Sequence, residues 1–290
     1  MVVQRSRAYV KASQATYGGT QAIFPTRADP QVVDYSVKKT YGRLLTMVDE
    51  AFSKTKPLFS LAIYNPLAYY KGTGEVEAFE KGRQNQVVGL IRIQFLKRFE
   101  SSAHAFQRSC MNLLYKILAF VTKNSVTPAE IKRLERWKGQ KREILDYVQL
   151  SFAQVTGDEP AEDEELISEE DLAAIDALSP DEFAVDEILQ ESYFDLDQIV
   201  DFLVELRKFE PKHDDKLRAL IKLLKTDPVL KTQKVLIFSE FMATARYLQR
   251  QLEDAGIAGV DEVDSASKRD RGDDQPILAV LQRIVVRRSR

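Results

Sequence analysis

The longest regular pattern in the chain is an apolar stripe that starts at Val88. Val88, Ile91, Phe95, Phe99, Ala103, Phe106, Cys110, Leu113, Ile117 and Phe120 recur at steps of three and four. That is the spacing of one helix face, and it predicts helix over 80–122. Arg83, Arg92, Lys97, Arg98, Arg108 and Lys116 lie mostly off the stripe. Shorter stretches of the same spacing predict further helices. Tyr41, Leu44, Leu45, Val48 and Phe52 mark one from about Val37 to Ser53, with Ser36 as its cap. Thr127 and Pro128 start another, with Glu130 at capping-box distance, running through Trp137 to about Phe152. Ile199, Phe202, Leu203 and Leu206 place a helix over Asp195–Phe209, and KLRALIKLL places one over Lys216–Leu224.

The period changes at Lys234. Val235, Leu236, Ile237 and Phe238 form a short continuous apolar run, the mark of a strand buried on both faces. Helical spacing returns at Phe241, Ala245, Leu248 and Leu252, and Gly256 supplies a C-cap. Val260–Val263 then reads as a second, parallel strand of a βαβ unit. The remaining segments are weaker. Residues 1–13 read as a short basic helix and 14–31 as a loop with Gly18, Gly19, Pro25 and Pro30. Val32–Val37 reads as a short strand. Residues 54–79 read as an irregular aromatic connection, and short helices are expected at 162–178 and 181–191.

Charge sharpens this picture. Residues 1–142 hold 24 Lys and Arg against 10 Asp and Glu, a net +14. Residues 143–206 hold 21 acids and no Lys or Arg, and residues 207–290 return to +5. A basic part beside an acidic neighbour is a usual mark of polyanion binding. The acidic 156–194 segment reads as a solvated linker, with shielding of the basic region as the alternative. No run approaches the ~18 apolar residues that cross a bilayer, and the N-terminus lacks a signal-peptide core. A cytoplasmic protein is the expectation. One cysteine, Cys110, excludes an internal disulfide and a cysteine metal site, and is expected to pack as a small apolar residue. His104 and His213 are far apart, without ligand spacing, and read as non-catalytic.

The ordered set KLRALIKLL, KVLIFSEFMATARYLQRQLEDAG and VDSASKRDR resembles the start of the second RecA-like lobe of Swi/Snf-type helicase-like ATPases of superfamily two. Lys216, Leu217, Leu220 and Leu223 match the family's first helix, and Val235–Ser239 its strand motif. Asp264, Ser267, Lys268, Asp270 and Arg271 match the segment after the next strand. Ser265 and Ala266 depart from the family's Gly and Ser. VVQRSRAYVK resembles the segment after the first lobe. Together with VKKTYGRLL, FSLAIYNPLAYY and VVGLIRIQFLKRFESS it is similar to bacterial and archaeal members, among them DISARM-type defence helicases.

The resemblance implies a mostly α-helical insertion region plus the start of an incomplete α/β RecA-like second lobe. The expected divisions are a post-first-lobe segment (1–31), a basic helical region (32–155), the acidic linker (156–194), the lobe start (195–273) and a tail foreign to the family (274–290). Ser239, Ser267, Lys268, Arg271, Arg5 and Arg7 are the residues expected to hold nucleic acid, double-stranded DNA in this family. The family binds ATP and Mg. This chain has no phosphate loop, no Walker-B acid pair and no arginine-finger motif. It is therefore expected to bind neither alone, to lack ATP hydrolysis, and to be a fragment whose first lobe is missing. Permitted codons for Ile277–Ser289, read one base later, give Phe-Ser-Pro-Tyr-Tyr-Asn, a family-like segment. This predicts a frameshift near Asp273. The alternatives are a stand-alone helical protein that binds nucleic acid or a partner, and a helical scaffold with no nucleic-acid role.

Overall fold

The computed structural model describes residues 7–17, 28–53, 59–72, 78–155, 177–263 and 282–286. Met1–Asp34 and Tyr35–Arg290 form separate units. The first contains α1 (Arg7–Tyr17), which extends past the expected end of the basic helix into the predicted loop. Residues 28–36 form no strand, so the strand expected at Val32–Val37 is corrected. Val32 and Val33 are exposed there, without the buried face a strand needs.

The second unit begins with two helices where one is predicted. Ser36 caps α2 (Val37–Tyr41) by accepting from the Lys39 N–H at 3.2 Å. Gly42 then breaks the helix with φ 52° and ψ −120°, and α3 (Arg43–Ala51) follows. A Cβ at Gly42 meets no atom within 4 Å, so the demand for glycine comes from the backbone alone. Gly42→Ala is expected to lower unfolding free energy by about 1–2 kcal/mol, read by urea titration.

The long apolar stripe is also split. α4 (Ala78–Ser101) and α5 (Ala103–Asn124) meet at Ser102, whose φ of −162° is extended backbone. Its hydroxyl accepts from the Ala105 N–H at 3.0 Å and caps α5. The break turns the chain enough for Phe106 to meet Phe95 and Phe99, with ring centroids 5.9 and 5.1 Å apart. α6 (Pro128–Gln140) starts on the predicted capping box: Glu130 N–H donates to Thr127 Oγ1 at 3.3 Å, and Thr127 N–H to Glu130 Oε2 at 2.8 Å. The expected continuation to Phe152 is interrupted at Lys141, and α7 (Arg142–Val155) follows.

α8 (Val185–Leu206) is one unbroken helix. Val185, Ile188, Leu189 and Tyr193 are buried in the main core, so residues 185–194 belong to that core rather than to the expected linker. The helix expected at 162–178 lies almost wholly outside the described residues. α3, α4, α5 and α8 bury the core together, with Phe59, Phe106, Ile188, Leu196, Ile199 and Phe202 fully enclosed. Cys110 lies in this core, where burial pushes its thiol pKa up.

A second, smaller cluster forms around α9 (Asp215–Thr226), β1 (Val235–Ser239) and α10 (Met242–Asp254). Leu224, Ala245, Leu252 and Ile257 are its centre. α10 ends as predicted at Gly256, which has φ +75°. The Gly256 N–H donates to Glu253 O at 2.8 Å and the Ile257 N–H to Leu252 O at 3.0 Å. This is the Schellman pair, with Ile257 packed beside Leu252.

Two sheet expectations are corrected. β2 (Val260–Val263) runs in the same direction as β1 but does not pair with it. β3 (Gln282–Val286) lies between them, antiparallel to both, with Val286 opposite Val235 and Val260. This central strand comes from the segment expected to lie outside the family fold. Nor is β1 buried on both faces. Val235 and Ile237 turn into the small core, whereas Leu236 and Phe238 are 52% and 54% exposed. α10 covers one face only, so the strand shows the period-2 alternation of a one-sided sheet.

Candidate nucleic-acid interface

Ser239 ends β1, at the carboxyl edge where open sheets present functional groups. Its side chain is buried. The hydroxyl donates to Phe241 O at 3.1 Å and accepts from the Phe241 N–H at 3.3 Å. It thus closes a local turn, and the short step from strand to helix is what requires it. Glu240 follows, exposed, and pairs with Lys97 of α4 at 3.0 Å. Arg98 lies over the Phe241 ring at 4.9 Å.

These contacts belong to a polar seam between the helical region and the β1–α10 unit. Thr244 Oγ1 lies 2.7 Å from Ser101 Oγ and 2.8 Å from Ser102 Oγ. Tyr247 donates to Asp214 Oδ2 at 3.1 Å, while Asp214 Oδ1 caps α9 by accepting from the Leu217 N–H at 2.9 Å. Lys216 donates to the carbonyls of Glu100 and Ser101, both at 3.2 Å, at the negative end of α4. Burial lowers the Lys216 pKa. Burial, with the Asp214 charge beside it, raises the Tyr247 pKa. Tyr41 donates to Phe99 O at 2.6 Å and stacks on the Phe99 ring at 4.1 Å.

The seam contains Ser239 alone among the residues expected to hold nucleic acid. Ser267, Lys268, Arg271 and Arg5 lie outside the described residues. Arg7 opens α1, in the other unit. Of the cations on the long stripe's flanks, Lys97 and Arg98 meet Glu240 and Phe241 in the turn between β1 and α10 rather than standing apart. Exposed basic positions elsewhere include Lys132 and Arg136 on α6, and Lys38 and Lys39 on α2.

A cleft of about 180 Å³ opens beside α2. Lys39, Gly42, Lys208 and His213 line it together with Glu205. Glu205 accepts from Lys208 at 2.7 Å, which offsets part of the cleft's positive charge. His213 accepts from the Glu210 N–H through Nδ1 at 3.3 Å, so its role is to close a turn. Among the described residues no group of three or more His, Cys, Asp or Glu could hold a metal ion. None of their helices is long and apolar enough to cross a membrane.

The sequence reading missed the most buried carboxylate among the described residues. Asp195 of α8 accepts from the Ser60 N–H at 2.7 Å and the Leu61 N–H at 2.6 Å, and from Ser60 Oγ at 3.2 Å. It pins a loop whose Leu61 has φ +56°, the left-handed region. Burial pushes its pKa up to about 6, against the lowering effect of those hydrogen bonds. The signal was present: Ser192 and Asp195 fall on the same helix face as Ile188, Ile199 and Phe202. A polar pair on a buried stripe implies partners.

No protein-family model, curated protein or solved structure matches this chain.

Proposed function

We propose that this chain is a nucleic-acid-facing helical region joined to the beginning of an ATPase lobe. More narrowly, it is read as part of a Swi/Snf-type superfamily-two helicase or DNA translocase, contributing nucleic-acid binding without hydrolysing ATP. The observation that carries the reading is the ordered motif set from Lys216 to Arg271. The packing of α9, β1 and α10 into one small core supports it, because the matched helix and strand then act as a unit. The seam through Thr244 and Lys216 supports a mechanical role, since it ties that unit to the basic helices. In this reading cationic side chains of the helical region neutralise phosphates, and Ser239 shapes the turn that presents the strand end.

A salt titration of duplex DNA binding by the whole chain tests it. Affinity is expected to fall at least tenfold between about 50 and 200 mM salt, as phosphate neutralisation requires. Undetectable binding at the lower salt rejects a nucleic-acid role and leaves the scaffold reading. DNA-stimulated ATP hydrolysis by this chain alone would contradict the assignment of ATP chemistry to a missing lobe. The gene sequence on both sides of the reading frame separates the ATPase fragment from a stand-alone binding protein: a phosphate-loop lobe encoded upstream favours the first.

A further inference from the structure

A basic corner forms where α2 and α3 meet the carboxyl end of α8. The cleft of about 180 Å³ lies in it, and its lining includes the exposed side chains of Lys39, Lys208 and His213. α2 also packs against the turn Pro211–His213, which places the exposed Lys38 and Lys212 beside the cleft. Arg43, the first residue of α3, adds a fifth Lys or Arg. Two carboxylates answer these five cations. Glu205 is shared between Lys208 at 2.7 Å and Arg43 at 3.7 Å, and Glu210 holds Lys212 at 2.6 Å. Five against two leaves a net +3. Lys38 and Lys39 form no ion pair among the described residues. Arg207 turns away from the corner to Glu143 at 2.8 Å.

The solvated face of a single helix spreads its cations along one element. Here they come from three separate elements and meet at one concave site. The one carboxylate in the lining, Glu205, is covered by its two partners, and its side chain is only 15% exposed. Closing its turn occupies only the Nδ1 of His213, which accepts from the Glu210 N–H at 3.3 Å. The proton of the neutral ring therefore sits on Nε2, which makes that atom a donor. We propose that this corner seats the backbone of a nucleic-acid strand, with one phosphodiester group in the cleft beside Lys39, Lys208 and His213. This rests on the nucleic-acid reading above and says where the strand lies. The lysines act as point charges, and each neutralised phosphate releases counterions. The lining holds no Arg, Asn or Gln, the side chains that best read base edges, so the contact positions the strand without reading its sequence.

The salt dependence of duplex binding by the whole chain measures this. Lys39→Gln/Lys208→Gln is expected to reduce the slope of log affinity against log salt by about 1–2, and to lower affinity at about 100 mM salt roughly three- to tenfold. Lys231→Gln/Lys234→Gln removes the same charge from the exposed approach to β1 and is expected to leave the slope unchanged. All four lysines are exposed, so both variants are expected to keep the wild-type urea midpoint. A steep wild-type slope that Lys39→Gln/Lys208→Gln leaves intact overturns this inference while the broader nucleic-acid reading stands. Equal losses in the two variants also overturn it, because net charge alone then accounts for the binding. Undetectable wild-type binding rejects both. Pyrophosphate titrated into the chain separates a strand from a free phosphate ligand. Binding tighter than about 100 μM that Lys39→Gln/Lys208→Gln abolishes, with duplex binding unchanged, makes the corner a small-anion site and overturns the strand.

Discussion

Phe106→Ala is expected to lower the unfolding free energy by about 4 kcal/mol, the range for emptying a buried aromatic site. Phe106 is fully buried on α5. Its ring meets Phe95 and Phe99 of α4 at 5.9 and 5.1 Å and Phe202 of α8 at 5.7 Å. One side chain therefore closes the packing of three helices, and those neighbours cannot collapse into its space without moving a helix. Phe106→Leu keeps most of the apolar volume and is expected to cost roughly half as much. Urea unfolding followed by circular dichroism reads both. An unchanged midpoint for the alanine variant would show that the three helices do not share one core.

Replacing Asp195 by Ala is expected to cost about 3 kcal/mol. The change removes the acceptor of the buried Leu61 N–H and of the Ser60 N–H. The pH dependence separates the charge from the hydrogen bonds. The folded pKa of about 6 lies above the ordinary 3.8 because burial disfavours the carboxylate. The folded state thus holds the proton more tightly than the unfolded chain. The resulting stabilisation is fully present below about pH 3.8 and is lost as pH rises through about 6. Stability contributed by this residue should therefore fall from pH 4 to pH 6. Asp195→Asn, neutral at every pH, is expected to remove that slope. A variant that keeps the wild-type slope would assign it to another group.

Much of the helical architecture was legible because helical spacing and caps are local. The Ser36 cap, the Thr127–Glu130 box and the Gly256 terminus follow from a few neighbouring residues each. The breaks were not legible. Ser102 interrupts a stripe that continues through it unchanged, because Phe95 and Phe99 before the turn and Ala103 and Phe106 after it keep the same three-and-four spacing. Only the packing of Phe106 back onto Phe95 shows why the helix must bend there. The strand Val235–Ser239 was legible as a strand, but its burial was not. An apolar run does not reveal whether one or two layers cover it, and here Leu236 and Phe238 stay open. The candidate site was the least legible part. Ser239 reads as a surface hydroxyl in the motif, yet it spends its hydrogen bonds on Phe241. The seam that holds it depends on Ser101, Ser102 and Thr244, residues about 140 positions apart whose pairing no local spacing encodes.

The strand order β1-β3-β2 also fixes a sequence of events during synthesis. Val235 and Val260 share Val286 as their neighbour, so neither strand finds its ladder partner until the ribosome has released that later stretch. The helical core, built from residues 44–206, can close well before then. For that interval β1 and β2 are two unzipped edges tethered to an already folded body, and distant strand pairing is the slow class of folding step. β3, the latest of these three strands to emerge, therefore closes both open edges against wrong neighbours.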